Sequence, residues 1–147
     1  MGFGLPAAIG VAFGRPDKRV YLVSGDGSFL MNCQELVTAA ENRIPLTVLI
    51  MNDSQLGMIH QLQDAFYGKR HEVSDFAHGA DYAALARAMG ASGATARTLA
   101  EVSRELDVAE KTEGPYIIDC IITQGENVLP MVTGGDLTSF MEEGIAK

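Results

Sequence analysis

The apolar positions of this chain gather in short unbroken blocks. "LTVLIM" at Leu46–Met51 is β-rich with no polar alternation, as expected of a central parallel strand covered on both faces. Val20–Val23 predicts a short, largely buried strand, and Tyr116–Ile122 a further buried one. "GASGATA" has room for another short strand. Between these blocks the apolar spacing turns helical. Behind the glycine-rich "MGFGLP", Pro6–Phe13 predicts a short packed helix, with Pro6 tolerable in its first turn. Ser28–Asn42 predicts a loop and then a helix, with Leu36, Val37 and Ala40 at helical spacing and Pro45 blocking continuation. Met58–Phe66, Asp81–Met89 and the amphipathic Glu101–Lys111 predict three more helices. Glu126–Lys147 predicts an irregular tail with a helix over Leu137–Glu142.

Helices alternating with buried strands give a three-layer α/β/α domain around a mostly parallel sheet. Ligands of such domains bind beyond the carboxyl ends of the strands. The chain of 147 residues fits one domain with a sizeable core. Its formal net charge of -8 argues against an extended phosphate-binding surface, so no nucleic-acid partner is expected. A small anionic cofactor held by backbone N–H groups and a metal stays compatible with that charge. Cys33 and Cys120 have no metal-like spacing and are expected as buried reduced thiols. The apolar runs are too short to cross a membrane, and the N-terminus carries no basic, signal-like segment. A cytoplasmic protein without a membrane partner is the expectation.

Two polar loops interrupt this frame directly after strands. The first is "GDG". Gly25 and Gly27 permit tight backbone geometry and close approach of a phosphate, while Asp26 offers a hard oxygen to Mg²⁺. Ser28 and nearby N–H groups can meet phosphate oxygens. No Walker lysine follows, and the pattern is not "GxGxxG", which argues against a P-loop nucleotidase. The second loop is "NDSQLGM", where Asn52 and Asp53 follow Leu46–Met51. Asp26 and Asp53 can reach one octahedral Mg²⁺, with a backbone carbonyl near Gln55 as a third oxygen. His60 is expected on the following helix, on its surface or in packing. The spacing of His71 and His78 makes no zinc site. "GKRHEVSDFAHG" is expected as a lid segment, with Lys69 and Arg70 on a solvated face.

"GDG", twenty-four residues and "ND" together resemble the thiamine diphosphate motif, whose usual second Asn is here Asp53. With "MGFGLPAAIG", "GDGSFLMNCQEL", "PLTVLIMNDSQLGMI" and "ENVLPMV", nearly the whole chain resembles the carboxyl-terminal cofactor domain of acetolactate synthase catalytic subunits. The resemblance implies the thiamine diphosphate-binding fold over residues 1–147, with thiamine diphosphate and Mg²⁺ as cofactors. It places the metal on Asp26, Asp53 and the Gln55 carbonyl. It places Gly25, Gly27, Ser28 and Asn52 at the cofactor, with Met1 under the thiazolium ring and Gly2 beside the aminopyrimidine. Gly57 and Met58 would lie near the reacting centre. Leu62 stands where this family usually has a tryptophan shaping the second-substrate pocket, so acceptor specificity is open.

The activity implied decarboxylates pyruvate and joins the two-carbon unit to a second 2-oxo acid, within branched-chain amino acid biosynthesis. Another thiamine diphosphate-dependent decarboxylase or acetyltransferase, or a non-catalytic degenerate fragment, is the alternative. The family's activating glutamate comes from an amino-terminal domain of a neighbouring subunit, and Glu35 is not expected to replace it. FAD, where present, belongs to the family's middle domain. Both of those domains are expected to be absent here. With Met1 inside the family's cofactor motif, the chain is expected to be a truncated form, a gene fragment or half of a split enzyme, inactive in isolation. The apolar "MGFGLPAAIGVAF" face predicts a homo-oligomer.

Overall fold

The computed structural model describes residues 1–129, 131–132 and 140–141. Helix α1 spans Gly4–Gly14, buries Leu5, Ala8, Ile9 and Ala12 along one stripe, and lies against β1, Val20–Gly25. The segment expected as a loop and a helix differs. The short helix α2, Asp26–Leu30, begins directly at the end of β1, so "GDG" is a helix start and not a turn. A single-turn 3₁₀ segment, Cys33–Glu35, leads into α3, Leu36–Glu41. The break falls at Asn32 (φ -138°, ψ 28°), whose side-chain amide donates to the Gly2 carbonyl at 2.7 Å. A tie to the amino-terminal segment thus overrides the helical spacing there.

Strand β2, Leu46–Asn52, precedes α4, Gly57–Phe66. Then come α5, Tyr82–Ala88, capped by Asp81; β3, Ser92–Ala96; α6, Leu99–Lys111; and β4, Tyr116–Ile121. The Thr98 hydroxyl and Glu101 carboxylate form a capping box that starts α6 two residues earlier than the apolar spacing suggested. The four strands run parallel in the order β1-β2-β4-β3. β2 and β4 are central and almost wholly buried, as their unbroken apolar runs require.

Side chains alternate between two cores. Leu46, Val48, Ile50 and Ile117 face α1, α2, α3 and α5, with Phe29 edge-on to Tyr82 at 5.9 Å. Tyr116, Ile118 and Cys120 face α6 with Leu49 and Met51. Three layers result. β1 departs from its expected burial: Tyr21 and Val23 are exposed, because α6 packs on β3 and β4 and leaves this face of the edge strand uncovered among the described residues. Two residue pairs beyond the sheet, β5 (Met131–Val132) and β6 (Phe140–Met141), pair antiparallel. Phe140–Met141 is therefore strand where a helix was expected, and the rest of Leu137–Glu142 lies outside the described residues. Both cysteines are free; Cys120 is buried and Cys33 half-buried. No helix among the described residues is long and apolar enough to cross a membrane.

Candidate functional site

The parallel register sets Gly25, Met51 and Cys120 in one row. Strands β1, β2 and β4 therefore end together, and the Ile122 N–H closes the row on the Asn52 carbonyl at 3.0 Å. Asp26 follows β1 as the first residue of α2. Asp53 follows β2.

Asp26 is buried. Its Oδ1 accepts from the Gly27 N–H at 2.7 Å, while its Oδ2 has no partner among the described residues. Burial pushes this carboxyl above the ordinary carboxylate range; the Gly27 N–H opposes that, and the neighbouring Asp53 charge raises it again. A buried carboxylate oxygen without a partner costs at least about 1–3 kcal/mol, a penalty that a bound cation would offset. Asp53 Oδ1 accepts from the Gln55 N–H at 3.2 Å. Its Oδ2 lies against Gly57, where a Cβ would come within 3.1 Å of it. The Gln55 carbonyl receives no backbone donor among the described residues. Two carboxylates and one carbonyl make an all-oxygen donor set of the kind that suits a hard cation.

The cavity beside these oxygens has a volume of about 380 Å³. Its wall brings together Met1, Gly25, Asp26, Gly27, Ser28, Asp53, Gln55, Gly57 and Met58, all expected from sequence. The remaining wall is Met51, Leu56, Ile59, Gln61, Ile122, Glu126 and Val128, which sequence reasoning did not reach. The cavity is thus acidic at the strand ends and mainly apolar along α4 and beyond β4.

Three expected residues stand off this wall. Gly2 (φ 79°) donates its N–H to Ser28 Oγ at 3.0 Å, and a Cβ there would fall 2.8 Å from the Asn32 amide nitrogen. Asn52 is buried and turned the other way: it donates to Asp119 Oδ1 at 2.8 Å and accepts from the N–H and hydroxyl of Ser54, each at 3.1 Å. It builds the turn that places Asp53, with Ser54 at φ 56°. Leu62 is half-exposed one turn along α4 from Met58.

The two glycines of "GDG" also separate. Neither takes a left-handed φ. A Cβ on Gly27 would lie 2.6 Å from Leu56 Cδ2, so Gly27 is what lets the two strand-end loops touch. A Cβ on Gly25 would meet nothing within 4 Å. In the segment expected as a lid, the Ser74 carbonyl accepts from the Leu56 N–H at 2.7 Å, and the Phe76 N–H donates to the Ser54 carbonyl at 2.9 Å. Lys69, Arg70 and His78 are exposed, away from the wall.

The missed residues include a clamp. Gln61 is buried, donates to the Val128 carbonyl at 2.8 Å and accepts from its N–H at 3.0 Å. Gln55 Oε1 accepts from the Gly125 N–H at 3.2 Å. Together they hold the segment after β4 over the cavity. The available signal was a glutamine one turn after Gly57 and Met58, on the same helix face.

An oxygen-lined sheet edge next to a largely apolar cavity lies beyond the carboxyl ends of parallel strands, where ligands of α/β domains bind. Residues 1–120 match the family described as "Thiamine pyrophosphate enzyme, C-terminal TPP binding domain", and the chain belongs to that family. It is 43% identical over 148 residues to the acetolactate synthase large subunit of Porphyra purpurea, covering all of this chain and 25% of the relative. It is 38% identical over 146 residues to the acetolactate synthase isozyme 2 large subunit of Escherichia coli (strain K12), covering 99% of this chain and 27% of the relative. Among solved structures, the Rhodococcus jostii RHA1 thiamine diphosphate-dependent 4-hydroxybenzoylformate decarboxylase superposes with a TM-score of 0.80 at 28% identity, over 86% of this chain and 24% of that one. The chain thus spans about a quarter of the length of the curated relatives it matches. Thiamine diphosphate is the family's cofactor. The unpartnered Asp26 Oδ2 and the oxygens around it fit a cation that would bridge to its diphosphate, and the apolar wall fits its rings.

Proposed function

We propose that the chain is the cofactor-holding part of an acetolactate synthase-type carboligase. It would decarboxylate pyruvate and join the two-carbon unit to a second 2-oxo acid. The observation that carries this reading is the pair of strand-end carboxylates, Asp26 and Asp53, over one cavity, with Asp26 Oδ2 buried and unpartnered. Mg²⁺ is assigned to Asp26, Asp53 and the Gln55 carbonyl. Gly25, Gly27 and Ser28 are assigned to the diphosphate, with the open space at Gly25 admitting it. Met1, Gly57 and Met58 are assigned to the rings and reacting centre. Gly2 and Asn52 act one step back, tying down Ser28 and the Asp53 turn.

When bound, thiamine diphosphate supplies the carbon nucleophile and electron sink. This chain's residues bind and orient. Asp26 and Asp53 fix the charged end. Leu56, Ile122 and Val128 line the apolar half, and Gln55 and Gln61 hold the covering segment in place. The activating glutamate is assigned to an amino-terminal domain, in the same protein or a neighbouring subunit. Met1, Phe3, Val11 and Phe13 expose apolar surface that supports self-association. The cytoplasm is the proposed setting, in keeping with two free thiols.

A second reading, a decarboxylase without the carboligation step, stays open because Leu62, exposed and off the cavity wall, stands where the family usually has the tryptophan that shapes the acceptor pocket. Product analysis on the full protein carrying this chain, given pyruvate, thiamine diphosphate and Mg²⁺, decides. Release of 2-acetolactate supports the carboligase. Aldehyde as the sole organic product supports the decarboxylase. Bound cofactor without turnover, all domains being present, supports a degenerate domain.

A further inference from the structure

Helix α4 carries a second cluster of ligating side chains, outside the cavity wall. His60 and Asp64 are four residues apart and share one helix face. His71 returns to that face from the loop that follows. One ligating atom from each of His60, Asp64 and His71 lies within 4.8 Å of the others. His71 Nε2 and Asp64 Oδ1 are 2.7 Å apart; the two imidazole rings stack with centroids 3.7 Å apart, so one ring must rotate out of the stack for both in-plane lone pairs to meet one ion.

The backbone holds this arrangement. The Lys69 N–H reaches back to the Gln63 carbonyl at 3.2 Å, the chain reversing through two left-handed residues, Gly68 at φ 60° and Lys69 at φ 57°. The Gln63 side chain then donates to the Glu72 carbonyl at 3.0 Å and accepts from the Glu72 N–H at 3.3 Å. His71 is fixed between these two ties. The loop also holds Val73 at φ 57°, which a β-branched residue adopts only when its surroundings enforce it.

The three side chains are only partly exposed, at 13% for His60, 21% for Asp64 and 28% for His71. His60 Nδ1 lies 3.4 Å from Asp75 Oδ1, which also accepts from Gln55 Nε2 at 2.7 Å. Gln55 Nε2 also lies 3.4 Å from His60 Nδ1, so Nδ1 faces both groups and Nε2 is the His60 nitrogen left for an ion. A carboxylate behind a ligating imidazole is the usual outer partner of a metal-bound histidine. Asp64 and Asp75 together balance a divalent charge.

We propose that His60, Asp64 and His71 form a binding site for a zinc-class divalent ion, oriented by Asp75 and distinct from the oxygen site at Asp26 and Asp53. Two imidazoles and one carboxylate select a borderline transition ion over Mg²⁺ and leave one position for water. Bound there, the ion pins the 67–75 loop to α4. Through Asp75 it also braces Gln55, which lines the cofactor cavity.

The test is a Zn²⁺ titration of the full chain with Mg²⁺ in excess, followed by calorimetry. One Zn²⁺ per chain is expected, and Co²⁺ in its place should give the visible spectrum of a low-coordinate nitrogen–oxygen site. Asp75→Asn should weaken Zn²⁺ binding by about 10-fold or more. His71→Ala and Asp64→Ala should each weaken it further, while His78→Ala should leave it unchanged. Zn²⁺ should also slow tryptic cleavage after Lys69 and Arg70 in the native sequence but not in His71→Ala. Absence of binding overturns the proposal. So does binding equally strong in His71→Ala and Asp64→Ala, or lost in His78→Ala.

Discussion

The chain leaving β1 and the chain leaving β2 deliver the same group to the same cavity by different means. After β1 there is no loop: Gly25 ends the strand and Asp26 opens α2, buried, with ordinary backbone angles. What fixes it is packing, with Gly27 pressed against Leu56. After β2, Asp53 sits in a turn knotted by polar bonds. Asn52 bridges Asp119 and Ser54, Ser54 takes a left-handed φ, and the backbone pairs with Ser74 and Phe76. One carboxylate is held by shape and the other by hydrogen bonds, so the two should fail to different substitutions.

The largest effect is expected for Gly27→Val. Its Cβ would meet Leu56 Cδ2 at 2.6 Å, and its methyls add to the clash, so the Leu56 side chain must leave its place in the wall, at a cost of about 1–3 kcal/mol in a denaturant melt. Asn52→Ala should cost about 2 kcal/mol, because Asp119 loses a donor and Ser54 loses the acceptor that holds its turn. If Gly27→Val proved silent while Asn52→Ala unfolded the chain, both carboxylates would be held by hydrogen bonds and the contrast would be lost.

Asp119→Asn probes the polar knot more gently and should shift stability less than either. Burial raises the Asp119 carboxyl above its ordinary 3.8, although the Asn52 amide opposes this. A carboxyl raised in the folded state favours folding while protonated and loses that contribution as pH rises through its folded value. The native chain should therefore gain stability from this group as pH falls from neutrality, and Asp119→Asn should flatten that gain in melts across pH. The smallest effect on stability belongs to Gly25→Ala, within about 0.5 kcal/mol, since its Cβ meets nothing. Its cofactor affinity should fall all the same, which would separate a glycine kept for a ligand from one kept for the fold.

The same contrast marks what the sequence disclosed. Unbroken apolar runs reported β2 and β4 faithfully, because a central parallel strand leaves no face for polar residues. They misjudged β1, whose Tyr21 and Val23 are apolar yet uncovered, since a strand cannot show in its own residues whether a helix lies over it. "GDG" and "ND" pointed to the carboxylates of the cavity wall because those residues follow strands that end in one row. The roles of Asn52 and Gln61 were not legible. Asn52 depends on a partner 67 residues away, and so does Gln61 on Val128. The early start of α2 was hidden as well, because Asp26 looks like a turn residue until its burial is known. His60 and His71 look unrelated until the Gln63 ties fold the chain back.

The most direct test is calorimetric titration of thiamine diphosphate into the full protein carrying this chain, with and without Mg²⁺, for the native sequence, Asp26→Asn and Asp53→Asn. Native binding should require Mg²⁺. Asp53→Asn restores the residue usual at that place in the motif, on a half-buried side chain, and should retain most of it. Asp26→Asn should bind at least about 30-fold more weakly, an effect of roughly 2 kcal/mol or more. Without ligand it should melt no lower than the native chain, having lost a buried, unpartnered carboxylate oxygen. Mg²⁺-dependent binding of undiminished strength in Asp26→Asn would contradict the account.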